Sequence, residues 1–90
     1  MEKEELAFLQ SLEGMSVVRT ELSDGTVINA PGSLRADRKR LSVFIEGKLV
    51  FQCGFDGLFC GRLLSGNGVR AQGFDRVTKK EMSLTLYFSY

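Results

Sequence analysis

The sequence predicts an α+β domain, mainly β, in which an N-terminal helix packs on a strongly bent antiparallel sheet or small β-barrel of five to seven strands. Three observations carry this. Apolar residues recur at helical spacing only near the N-terminus. From Met15 onward they alternate with a period of two. Glycine-based turn signals then recur at short intervals. Ninety residues make one domain, 1–90. The apolar share of 43% and seven Phe supply the bulk for a core, so disorder is not expected.

Residues 2–13 read as an amphipathic helix. Leu6, Phe8, Leu9 and Leu12 fall on one arc of about 160° at 100° per residue. Glu2, Glu4 and Glu5 stand in the first turn, where the helix dipole favours anions. Gly14 is the residue expected to end the helix in the left-handed conformation. Phe8 and Leu12, one turn apart, should both face the sheet.

Val18, Thr20 and Leu22 then alternate with Val17, Arg19 and Glu21, which predicts a strand. Asp24-Gly25 is a two-residue hairpin signal, and the strand returns over 26–30. Pro31-Gly32 stops it, because proline has no N–H for the ladder. Residues 33–40 are read as a polar connection. A second hairpin pairs 41–45 with 49–55. A three-residue loop, Glu46-Gly47-Lys48, sets Ile45 opposite Leu49, Val43 opposite Phe51 and Leu41 opposite Cys53, gathering one apolar face. Phe44 and Val50 then lie on the reverse face.

Phe55-Asp56-Gly57 is a turn, and 58–65 is a less regular strand with Gly61 as a bend. Gly66-Asn67-Gly68 signals a third hairpin with a type I′ turn, followed by strand 69–74 and a charged loop at 75–81. The last strand alternates most regularly. Met82, Leu84, Leu86, Phe88 and Tyr90 face inward; Ser83, Thr85, Tyr87 and Ser89 face out. Gly54, Gly57, Gly61, Gly66, Gly68 and Gly73 are expected to supply the bends of a closing sheet, with the helix capping one open end.

Composition narrows the function. There is no histidine, which removes the commonest general base, the usual partner of a nucleophilic Ser or Cys, and the commonest metal ligand. The expectation is a protein that is not an enzyme and holds no metal or cofactor. No apolar run approaches the ~20 residues of a membrane span, and no secretory signal is evident. Two cysteines in that context predict reduced thiols and a cytoplasmic location. Cys53 and Cys60 lack a second pair of zinc ligands and the short spacing of redox motifs; the turn between them permits a disulfide, but they are read as reduced, buried, Phe-flanked thiols.

Charge is unevenly spread. Residues 1–34 carry six acids and two bases; residues 35–90 carry ten bases and five acids. Such asymmetry can steer a partner. Two partner classes follow. The first is a protein, a second copy included, held by an outer apolar patch of Phe44, Val50 and Tyr87 on the sheet. The second is nucleic acid or another polyanion, held by Arg35, Arg38, Lys39 and Arg40. The plain alternative for the basic run is a solvated connection partly neutralised by Asp37. A small ligand in a barrel mouth is a third, lesser reading. Gly66-Asn67-Gly68 leads into a strand rather than a helix, so a turn explains it better than a phosphate loop. Gly54-Phe55-Asp56 and Gly73-Phe74-Asp75 read as two similar turns.

A helix, Leu12-Glu13-Gly14, a strand, Leu22-Ser23-Asp24-Gly25-Thr26 and a second strand together resemble the opening of Sm-like RNA-binding proteins. Leu64-Ser65-Gly66-Asn67-Gly68-Val69 is similar to their second motif. The resemblance covers about half the chain and implies a small barrel. Leu41 stands where that family has Asn, Ser65 where it has Arg, and the long C-terminal strand has no counterpart. The family's uridine-contacting residues therefore do not carry over.

Overall fold

A computed structural model describes residues 3–89. Helix α1 spans Lys3–Ser11. The strands are β1 Val17–Leu22, β2 Val27–Ile28, β3 Gly32–Ala36, β4 Arg40–Ile45, β5 Lys48–Gly54, β6 Phe59–Arg62, β7 Gly68–Asp75 and β8 Lys80–Phe88. All pair antiparallel in one eight-stranded sheet of order β5-β4-β3-β1-β8-β7-β6, with β2 beside β1.

The sheet is neither closed into a barrel nor strongly curled, which corrects the bent-barrel expectation and its strand number. Two of the glycines expected to bend the sheet serve close packing instead. A Cβ at Gly73 would lie 2.5 Å from the Cys53 Sγ, and one at Gly68 would press on the Leu86 carbonyl and the Leu63 side chain. These two glycines admit close neighbours. No described strand joins β5 to β6. The end of β7 and the turn after it meet β5 at Gln52, whose carbonyl accepts the Arg76 N–H at 2.8 Å and whose N–H donates to the Asp75 Oδ1 at 3.0 Å.

The core lies on one face of the sheet. Leu34 and Ala36 on β3, Leu41 and Val43 on β4, Phe51 and Cys53 on β5, Val69 and Ala71 on β7, and Leu84, Leu86 and Phe88 on β8 pack with Leu9 and Leu12. Phe8 is half-buried against this core. Met82 also packs on it from a half-buried position, while the side chain of Leu6 and residue Tyr90 lie outside the described set. Val17 and Thr20 are the inward residues of β1, and Val18 is exposed, so the expected grouping of Val18 with Thr20 does not hold. The cause is a register irregularity between Val17 and Arg19, which shifts the alternation by one residue.

Several local expectations are corrected. The helix ends at Ser11, and Gly14 is not left-handed; Leu12 N–H bonds to Leu9 O at 3.1 Å and Met15 N–H to Leu12 O at 3.0 Å, so tight turns finish it. The connection expected at 33–40 is largely β3, with Leu34 and Ala36 inward. The hairpin between β4 and β5 uses a two-residue turn with Glu46 at φ 51 and Gly47 at φ 80, pairing Ile45 with Lys48. A bulge beyond Phe44 then restores Val43 opposite Phe51 and Leu41 opposite Cys53, as expected from the apolar pattern. Between β6 and β7, Leu63 N–H bonds to Gly68 O at 2.9 Å, so 64–67 form the loop and Leu64 sits on it.

Candidate functional site

The expected apolar patch is not assembled. Phe44 faces Ser33 and Leu49 across its neighbouring strands and lines a concavity with Glu13, Leu34 and Arg35. Val50 belongs to the bulge and packs partly against the core. Tyr87 is three strands away on β8, opposite Arg19, whose guanidinium lies 5.2 Å from its ring centroid. Glu21 beside it raises the Tyr87 phenol above its ordinary pKa.

The structure instead exposes Phe59 (76%) and Leu64, which is fully exposed. Residues 58–64, with Arg70 and Gln72 on β7, line a groove of about 600 Å³. Its floor follows from register. Phe59 stands opposite Gln72 and Gly61 opposite Arg70, so these four share the outward face, while Ala71 and Gly73 point to the core. Arg62 is anchored from the other side, since its guanidinium lies 4.8 Å from the Phe8 ring centroid. Arg62 and Arg70 are the charged residues of the groove, and no carboxylate lines it. The segment 59–64, interrupted by Gly61 and Arg62, does not itself show which of its apolar members are exposed; the alternation of β7, carried across by register, is the available signal.

The two sheet edges differ. On β5, Gln52 N–H donates to the Asp75 Oδ1 at 3.0 Å and Gln52 O accepts from Arg76, so the turn after β7 covers that edge. On β6 no further described strand follows.

The expected basic cluster divides. Arg35 is exposed on β3 and shares the concavity of Glu13 and Phe44. Arg38, Lys39 and Arg40 sit at the β3–β4 turn, which Asp37 orders by accepting the N–H of Lys39 at 2.7 Å and of Arg40 at 2.9 Å. Those N–H bonds, Lys39 first, hold the Asp37 carboxyl below its ordinary pKa. A residue absent from the expected set joins them. The Arg76 guanidinium comes within 3.6 Å of where a Gly54 Cβ would stand, and the Lys39 carbonyl within 3.8 Å of the same point.

Other chemistry is sparse. Neither cysteine forms a disulfide; Cys53 is buried, and burial raises its thiol pKa. Among the described residues no His/Cys/Asp/Glu group is arranged to hold a metal. No described helix is long and apolar enough to cross a membrane. The two Gly-Phe-Asp triplets are not similar turns: Phe55 is buried and Asp56 exposed in a 3-10 turn, whereas Phe74 is exposed and Asp75 buried in β7.

The chain matches no protein-family model, no curated protein and no solved structure. Class and role therefore rest on its own residues.

Proposed function

We propose that this chain is a non-catalytic interaction module that binds an extended segment of another protein in the groove along β6. The observation that carries the reading is the groove itself: Phe59 and Leu64 exposed beside Arg62 and Arg70, with no carboxylate among the lining residues. Isolated exposed apolar residues are ordinary, but two large ones on one edge strand and its loop mark a contact surface. Apolar side chains would bury Phe59 and Leu64, and carboxylates would meet the two arginines. The partner class is thus an apolar segment flanked by acidic residues. The lack of histidine supports the non-catalytic part of the reading.

Selection from a library of ten-residue peptides tests it, with light scattering across protein concentration in parallel. Wild type is expected to enrich apolar-acidic peptides, and Phe59→Ser with Leu64→Ser to lose them. No enrichment, or enrichment that survives both substitutions, contradicts the groove. Self-association that the same substitutions abolish would make a second copy the occupant and overturn the choice of partner.

A further inference from the structure

We infer that the end of the molecule formed by the β3–β4 turn and the β7–β8 turn is a phosphate-binding site that tracks a nucleic-acid backbone. It involves no residue of the β6 groove. Two sequence-distant segments build it. Arg40 stands directly opposite Gly54, and directly opposite residues of an antiparallel pair share a face. Gly54 has no side chain, and Arg76 lies across the space left there. Arg76 is held in place through its backbone, whose N–H bonds to Gln52 O at 2.8 Å. Arg38 and Lys39 are exposed on the adjoining turn, and Lys79 is exposed on the same turn as Arg76.

The charge arrangement is what calls for a ligand. Arg38, Lys39, Arg40 and Arg76 have no ion pair among the described residues; the pair formed there is Arg19 with Glu21 at 3.0 Å. Two carboxylates of this end, Asp37 and Asp75, are engaged by hydrogen-bond donors, and two, Asp56 and Glu81, are exposed. Asp37 accepts two backbone N–H groups, and Asp75 is fully buried, accepting bonds from Gln52, Val77 and Thr78. Asp56 is exposed on the turn after Gly54. Arg40, by register, and Arg76, by its guanidinium, both stand beside Gly54, and like charges gathered at one place favour a bound anion. Cations spread over two turns suit a string of phosphates better than a single one.

The test is fluorescence anisotropy with a labelled mixed-sequence single-stranded RNA of about 20 nucleotides, titrated over salt, since each neutralised phosphate contributes about 0.7 to the log–log slope on a single strand. Arg40→Gln and Arg76→Gln should each weaken binding several-fold and flatten the slope. Arg76→Lys should keep the slope. Lys48→Ala, in the β4–β5 turn, should change neither. Circular dichroism confirms that each variant is folded. Equal binding by wild type and Arg76→Gln overturns the site. Equal affinity for a heparin fragment, which carries no phosphate, overturns the assignment to phosphate. Binding of a phosphopeptide but not RNA overturns the nucleic-acid choice.

Discussion

The Asp75 carboxylate, at the end of β7, accepts the backbone N–H of Gln52 in the middle of β5 at 3.0 Å. It also accepts the N–H of Val77 and Thr78, each at 3.0 Å, and the Thr78 hydroxyl at 2.7 Å. One side chain thus shapes the β7–β8 turn and covers the exposed edge of β5. Burial pushes its pKa up, but the donors from Gln52, Thr78 and Val77 outweigh burial and hold it below the ordinary value.

Asp75→Asn places an amide donor among groups that are themselves donors. A loss of about 1–3 kcal/mol is expected, measured by urea denaturation. The sign with pH follows from the lowered folded-state pKa. The contribution is present above the unfolded-chain value near pH 4 and is lost as pH falls through the folded value. Asp75→Asn should therefore flatten the acid limb of the stability curve. An unchanged limb would show that Asp75 is not the coupled group.

Gly73→Ala should destabilise by about 1–3 kcal/mol, because the added methyl meets the Cys53 Sγ at 2.5 Å and the Gly57 carbonyl at 2.7 Å. Cys53→Ala in the same chain should recover part of the loss in a thermal melt, and the backbone contact should retain the rest. Full additivity of the two changes would place the strain elsewhere.

Thr20 is fully buried on β1, and its Oγ1 has no hydrogen-bond partner among the described residues. Thr20→Val keeps the shape and removes the stranded hydroxyl. A gain of about 1 kcal/mol is expected by chemical denaturation. A loss of similar size would mean that the hydroxyl is bonded in solution.

Glu13, just after α1, uses its Oε1 to accept the Ala36 N–H at 2.8 Å. It stands where a neighbouring strand would bond, since β3 meets β1 only at Val17 and Gly32. Glu13→Ala should cost about 1–2 kcal/mol, and Glu13→Gln, which keeps an acceptor, should recover most of it. Amide exchange at Ala36 reads the effect directly; equal exchange in all three proteins would remove this role.

Much of the sheet was legible because strong alternation leaves little choice of face. Leu84, Leu86 and Phe88 are inward as their spacing demands. Val43 opposite Phe51 survives a turn of different length because a bulge absorbs the mismatch. β3 was missed because its inward residues are only Leu34 and Ala36, set between Pro31 and a basic run. The surfaces were harder to read for a different reason. Phe59 is outward only because Gln72 opposite it is outward, and Arg76 reaches Gly54 only because Gln52 binds the turn. Both are facts of register and long-range contact, which one-dimensional periodicity does not contain.

The most direct measurement is a residue-resolved NMR titration of the 15N-labelled chain with a peptide enriched by the wild-type protein. The groove reading predicts shifts concentrated at 58–64 and at Arg70 and Gln72, absent in Phe59→Ser. Shifts concentrated instead at Phe44 and its neighbours Ser33 and Arg35, with 58–64 unmoved, would contradict it.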